Sequence, residues 1–372
     1  MATIEFSEEQ SMLLETAADF CRKNSPLDGV RKQIEQEDSV DAAVWAEMAD
    51  LGWLGITIPE QYGGLGLSLA DAVPVVESMG RHLMGSPYIA TVLAANALVV
   101  SGSETQKNHW LPQIAAGAVA TLGLTEEDGN WRLNEVHTKG VASSGSITFS
   151  GKKCFVMDAP KASVIIVSAM IDGEAKLVLV QGDQLPDNAL TRETVIDETR
   201  RSYSLDLNGV TVPSEQILAG ADFASIEQAA LLLLTAEMAG GLAGVLHVIV
   251  DYLTTRKQFD QYIGSYQSLK HPSVQILLSM EACRSHLYHA ATLLADEGAN
   301  AVESAIRMAK AQGSEAFAYA GDRAVQFHGG FGFTYDCDAQ LFLRRALWCQ
   351  YQFGDAAYHR ELLGPLLLDA VS

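Results

Sequence analysis

At 372 residues, with 48% hydrophobic and 19% charged side chains, the chain has the size and balance of a globular protein of two or three cored domains. A formal net charge of −21 excludes nucleic acid and anionic membrane surfaces as partners, since both require clustered Lys and Arg, so any bound anion has to be held by local donors. The five cysteines, Cys21, Cys154, Cys283, Cys337 and Cys349, are odd in number and lack CxxC spacing, which points to a reducing compartment and no zinc site.

The N-terminus, Met1-Ala2-Thr3-Ile4-Glu5-Phe6, has no signal-like apolar core, and the longest apolar run, 229–234, is too short to span a membrane. A cytoplasmic protein is expected. Residues 7–118 read as successive helices. Ser7-Glu8-Glu9-Gln10 forms a capping box before Met12, Leu13 and Leu14. A second helix from Asp41 carries Val44, Trp45, Met48 and Leu51 and breaks at Pro59. The glycine-rich turn Pro59-Glu60-Gln61-Tyr62-Gly63-Gly64 has neither a preceding strand nor a following Gly-Lys, and so is no phosphate loop by spacing. Helices resume at 68–81, 87–101 and 104–116.

Near Ala120 the texture changes to short, β-branched, punctuated runs. Ser146-Ile147-Thr148-Phe149-Ser150 alternates, 163–168 reads as a buried strand, 176–180 follows a Gly-Glu turn, and 203–210 is a further strand. An antiparallel β domain is expected. From Asp222 the helical pattern returns, with a long helix over 226–254 that is apolar on most faces and therefore buried, then helices over 273–297, 301–321 and 340–368. The expected fold is α+β, with an N-terminal helical domain at 1–119, a middle β domain at 120–221 and a C-terminal four-helix bundle at 222–372.

Two stretches carry the candidate chemistry. Thr255-Arg256-Lys257-Gln258-Phe259 closes the long helix, and Gln326-Phe327-His328-Gly329-Gly330-Phe331-Gly332-Phe333 comes later. A forked cation at a helix end, an aromatic one turn on and a pair of glycines that admit close backbone approach suit a large anionic cofactor.

In this order and combination the chain resembles the acyl-CoA dehydrogenase family. Further matching pieces are Gly52-Trp53-Leu54-Gly55, the turn at 59–64, Gly151-Lys152-Lys153-Cys154-Phe155-Val156 and Val210-Thr211-Val212-Pro213. The resemblance spans the whole chain. It implies α,β-dehydrogenation of an acyl-CoA thioester, FAD as cofactor, electron-transfer flavoprotein as acceptor, and tetramers in which FAD lies between one subunit's β domain and its neighbour's bundle. Carried over, Arg256 bonds the FAD pyrophosphate, Phe259 packs on the adenine side, and Gln326, Gly329 and Gly330 accept the adenosine-pyrophosphate stretch. The family's same-subunit flavin loop, Thr-Glu-Pro followed by Gly-Ser-Asp, reads Thr125-Glu126-Glu127-Asp128-Gly129-Asn130-Trp131 here. Thr125 and Glu126 survive, Asn130 and Trp131 fall where the Gly-Ser stands, and two added carboxylates oppose a phosphate. Phe155-Val156-Met157 matches the family's Trp-x-Thr beside the flavin ring without its hydroxyl.

The catalytic glutamate that takes the α-proton has no counterpart. Phe353 stands at the family's usual position for it, and Ala230 at the alternative one. Glu237, Glu227 and Asp355 are the nearby acids. Glu237 reads first as a structural acid and second as a relocated base, Glu227 as a first-turn acid, and His328 and His359 as packed histidines. The pattern resembles the smaller, non-catalytic subunit of heteromeric acyl-CoA dehydrogenases for steroid side-chain or pimeloyl-type substrates. The leading expectation is an α2β2 heterotetramer with a catalytic partner whose FAD this chain helps to hold. A self-sufficient homo-oligomeric dehydrogenase using Glu237, and a non-redox scaffold on the same fold, stand as alternatives.

Overall fold

Asp41 and Ser103 fix where two helices begin. The computed structural model describes residues 8–296 and 299–368, and the Ser7 capping box lies outside the described residues. Asp41 accepts from the Ala43 amide ahead of α3, Ala42–Asp50. Ser103 and Gln106 form a reciprocal capping box at the start of α6, Glu104–Ala115. The N-terminal run also contains α1 (Glu8–Asn24), α4 (Leu69–Arg81) and α5 (Tyr88–Ser101). A helix not expected from the pattern, α2 at Leu27–Ile34, opens behind Pro26, whose fixed φ suits a helix entry.

The strands between residues 120 and 213 form two sheets. In the six-stranded sheet, β5 (Val164–Ile171) pairs along its length with β6 (Glu174–Gln181) antiparallel and with β1 (Ala120–Gly123) parallel. It also meets β2 (Lys139–Ser143) in parallel, through Lys139 and Met170. The outer strands β3 (Ser146–Ser150) and β9 (Thr211–Pro213) continue from β2 in antiparallel register. The expectation of a wholly antiparallel domain is therefore corrected: β1 enters from the helical segment alongside β5. The second sheet is β4 (Lys152–Met157), β8 (Ser202–Asp206) and β7 (Leu190–Arg192). Asp172 and Gly173, both at positive φ, make the two-residue hairpin between β5 and β6. Between the sheets lie Ile147, Phe149, Val156, Ile165, Val167, Leu205 and Val212. Each such side chain, once buried, contributes ~1.5–3 kcal/mol.

The helices after the sheets are α7 (Phe223–Thr255), α8 (Gln267–Asp296), α9 (Ala299–His328), α10 (Asp338–Tyr351) and α11 (Ala356–Leu368). The single last helix expected over 340–368 is two, because the chain turns at Phe353 and Gly354, which have φ of 56° and 102°. Helix α7 is 33 residues long and apolar enough by composition to cross a membrane, but 89% of its most apolar window is buried, as befits a core helix.

The chain divides into two compact units. One holds the described parts of 1–35, 69–84 and 231–372, and the other holds 36–68 and 85–230. Within the first, α4 and α7 cross backbone to backbone. A Cβ on Gly80 would lie 2.1 Å from the Glu237 carbonyl oxygen, and one on Gly240 would lie 1.8 Å from that of Glu77. Gly240→Ala is accordingly expected to destabilise the protein by about 3 kcal/mol or more, since neither backbone can retreat. Urea unfolding followed by circular dichroism would show this as a lowered midpoint, and an unchanged midpoint would contradict the close crossing.

Candidate functional site

The first compact unit gathers one group of the expected site residues. Tyr252, one turn before the end of α7, stacks on His328, the last residue of α9, with ring centroids 4.0 Å apart and planes 24° from parallel. His328 is buried, and its Nδ1 lies 2.7 Å from the Ala324 carbonyl, which fixes the ring. This stack sets the end of α7, with Arg256, against the end of α9, with Gln326, Gly329 and Gly330. The pairing of Tyr252 with His328 goes beyond what the sequence predicts. Its trace there is an aromatic just ahead of the first motif and a histidine within the second.

Beyond Arg256 the chain forms a hairpin from β10 (Lys257–Gln258) and β11 (Gln261–Tyr262), with Phe259 and Asp260 as its two turn residues. Both adopt left-handed φ, 54° and 60°, where glycine or asparagine is the usual choice. The hairpin is braced by Lys257 Nζ 4.6 Å above the Tyr262 ring, by the Tyr266 hydroxyl donating to the Gln258 carbonyl at 3.2 Å, and by the Ile263 amide donating to the Arg256 carbonyl at 2.9 Å. Phe259 stands at the tip with 88% of its surface exposed. A strained backbone that presents a bare aromatic ring serves no packing purpose within the chain.

Arg256 and Gln326 are exposed and carry no side-chain hydrogen bond or ion pair among the described residues. Gly329, at φ 61°, opens the short turn Gly329–Phe331. A Cβ on Gly329 or Gly330 would meet nothing within 4 Å, so the open space beside them is not claimed by this chain. An unpaired forked cation, an exposed ring and an open glycine surface fit a nucleotide-bearing anion such as FAD.

The second compact unit holds the other group. Thr125 bridges Cys154 across the strands, with the Cys154 amide donating to the Thr125 carbonyl at 2.9 Å. The next residue, Phe155, sits in a bulge of β4, at φ 55° and 40% exposed. Its amide donates to Glu193 at 3.2 Å, and Glu193 also accepts from Ser202 Oγ at 2.7 Å. Glu193 leaves no signal in the sequence because no periodicity ties it to β4.

Glu126 turns away from the surface. Its carboxylate accepts from the His137 and Thr138 amides at 2.7 Å each and from Lys153 Nζ at 2.6 Å, and Lys153 also donates to Ser168 Oγ at 2.9 Å. Burial alone raises the Glu126 carboxyl, but Lys153 and Thr138 outweigh it and hold the group down to about 2. Burial also pulls the Lys153 ammonium below its ordinary value against the pull of Glu126. Glu127 and Asp128 remain exposed, and Asn130 spends its amide on Glu135 at 2.7 Å.

The acids near the expected base positions are occupied elsewhere. Ala230 is buried, and Phe353 occupies the α10–α11 turn. Glu237 is buried with Oε1 accepting from Arg345 at 2.7 Å, while the Cys349 thiol lies 3.6 Å from Oε2. Asp355 Oδ1 accepts from the Tyr358 amide at 2.9 Å and caps α11. Glu237 is thus half of a buried ion pair.

Lys153→Met is expected to cost about 3–5 kcal/mol, because it strands a buried carboxylate. The sign of the pH dependence follows from Glu126. Its folded value lies below its ordinary 4.5, so its stabilisation is complete above that value and is lost as pH falls toward about 2. Urea midpoints measured across this acid range should fall steeply for the parent chain and less so for Lys153→Met. Equal slopes would contradict the pairing.

Comparison with known proteins identifies the family. The family model for the acyl-CoA dehydrogenase N-terminal domain matches residues 7–118, and that for the C-terminal domain matches 230–367. The chain is 30% identical over 360 residues to acyl-CoA dehydrogenase IpdE2 of Mycolicibacterium smegmatis, covering 96% of each protein. Among solved structures it matches a chain of the ChsE4-ChsE5 complex from Mycobacterium tuberculosis with a TM-score of 0.90 at 25% identity, over 98% of this chain and 99% of that one. It also matches a variant of the Tcur3481-Tcur3483 steroid ACAD with a TM-score of 0.89 at 25% identity, again over 98% and 99% of the two chains.

Proposed function

Because the chain belongs to the acyl-CoA dehydrogenase family, flavoproteins that oxidise acyl-CoA thioesters with FAD, we propose that it is the non-catalytic subunit of an α2β2 dehydrogenase and completes the FAD sites of a catalytic partner. The observation that carries this reading is the pairing of an unengaged grip with a missing base. Arg256 and Phe259 are exposed beside Gly329 and Gly330. Neither Phe353 nor Ala230 offers a carboxylate, and Glu237 is held by Arg345. Two of the structural relatives support the same reading, since each is a pair of different named chains.

In this assembly Arg256 meets the pyrophosphate with charge-assisted, forked hydrogen bonds. Phe259 packs against the adenine side, and Gln326, Gly329 and Gly330 accept the adenosine-pyrophosphate stretch. Bound FAD would supply the acceptor for the hydride from the acyl β-carbon, with electron-transfer flavoprotein as the onward acceptor. The α-proton would go to a carboxylate of the partner, since this chain offers none at Phe353 or Ala230. Thr125 and Phe155 remain in this chain's own flavin half, but exposed Glu127 and Asp128 stand there against a phosphate. The substrate class we assign is a bulky, steroid-type acyl-CoA, by analogy with the steroid ACAD among its structural relatives.

Flavin stoichiometry tests the assignment. The chain purified alone should be colourless and should gain FAD only in complex with a catalytic subunit. Arg256→Ala should weaken FAD binding by that complex about 10- to 100-fold, as expected for losing hydrogen bonds from a charged donor. If the chain alone carried FAD and an acyl-CoA bleached it, this chain would be a self-sufficient dehydrogenase. If the complex bound no flavin, the scaffold reading would replace both.

A further inference from the structure

Beside the crossing of α4 and α7, the small residues that bring the two backbones together leave a recess. Its apolar lining is Leu14 and Ala18 of α1, Ala243, Leu246 and Val250 of α7, and Met280 of α8. Its volume is about 550 Å³, within the roughly 300–1,000 Å³ usual for small-molecule sites. All of these residues belong to the first compact unit, and none of those assigned to flavin is among them. The two helices cannot move closer to fill the space. A Cβ on Gly240 would lie 2.7 Å from the Arg81 amide nitrogen, and one on Gly244 would lie 2.4 Å from the Arg81 carbonyl oxygen.

The same glycine contacts fix the backbone of Arg81, the last residue of α4, whose side chain is exposed at the recess. Among the described residues it carries no side-chain hydrogen bond or ion pair. The other charged groups of the recess are Arg284, Glu77 and Glu15. Glu77 is buried, accepts from Arg284 at 2.7 Å and also accepts from the Tyr288 hydroxyl, so its charge is met from within. Glu15 is exposed on α1 and pairs with neither arginine. Burial, then Arg81 and Arg22, hold the His82 imidazole below its ordinary value, which marks a local positive potential in a chain of net charge −21. His247, exposed on α7, adds a ring nitrogen that can donate. A cationic head group would find here only Glu15 on a solvated side chain, whereas an anionic one finds a forked donor on a fixed backbone.

We propose that this recess binds an amphipathic organic anion, a carboxylate carried on an alkyl or alicyclic body, with Arg81 holding the carboxylate. The body lies on the apolar lining, where each carbon removed from water adds to binding. Ala18 and Ala243 keep the lining open, since a larger side chain at either place takes up the volume the ligand needs. The site uses neither the flavin grip nor the place of the missing base. Its occupancy is therefore independent of which subunit performs the oxidation.

Calorimetric titration of the full chain with octanoate, alone and in complex with its catalytic subunit, tests the site. Octanoate should bind with a Kd of about 1 mM or tighter, the range open to a ligand of this size. Octanol and octyltrimethylammonium should bind about tenfold more weakly, the size of a lost hydrogen bond to a charged group. Arg81→Gln should bring octanoate down to the level of octanol, and Ala243→Phe should abolish binding by filling the recess. The site is refuted if octanoate does not bind, if octyltrimethylammonium binds as well as octanoate, or if Arg81→Gln leaves octanoate binding unchanged. Binding to the chain alone that disappears in the complex would assign this face to the subunit contact and would equally overturn the proposal. Arg81 is exposed, so Arg81→Gln should keep the parent's urea midpoint, and the titration then reads binding alone.

Discussion

The crossing of α4 over α7 is the constraint from which much of the first unit follows. Two helix backbones in contact at Gly80 and Gly240 leave no room for side chains between them, so the carboxylates that flank the crossing are driven sideways into the interior. Glu77 is met by Arg284 at 2.7 Å and by the Tyr288 hydroxyl, and Glu237 is met by Arg345. A buried ion pair adds little net stability, but removing one partner is costly, so each pair fixes which helix can stand where. The same pairing holds the Glu237 carboxylate inside the first unit.

Three phenylalanines adopt left-handed backbone conformations: Phe155 in a strand bulge, Phe259 at a hairpin tip and Phe353 in the last turn. In the function proposed above, the first two belong to the flavin-holding positions and the third takes the place of a catalytic glutamate. Each conformation costs on the order of 1–3 kcal/mol and persists only where surrounding bonds enforce it. Glu193 holds the first, the Lys257–Tyr262 hairpin the second and Lys310 the third. The chain maintains strain at all three places.

Much of this is legible in the residues. The order of helices, strands and helices follows from periodicity, and Ser103 and Asp41 mark helix starts by their own side-chain chemistry. Arg256, Phe259 and Gly329–Gly330 stand out because a forked cation, an aromatic and glycines in that order have few other uses. What the sequence hides is non-local. The parallel entry of β1 beside β5, the Tyr252–His328 stack and the grip of Lys310 on carbonyls of another helix depend on tertiary placement, and backbone acceptors leave no mark in a sequence. The break between α10 and α11 is equally silent, because a phenylalanine at positive φ has no propensity to announce it.

The discontinuity of the first unit has a consequence for how the protein is made. Its opening helices belong with 69–84 and 231–372, whereas 36–68 and 85–230 form the other unit. As the chain leaves the ribosome, α1 and α4 are therefore complete long before the helices that bury them exist. Helix α7 then emerges with the composition of a membrane span and must wait for α8, α9 and α10 to cover it. During that interval its apolar faces are open to chaperones, to aggregation and to other chains. Synthesis of the first unit thus has a window in which company for α7 is physically useful.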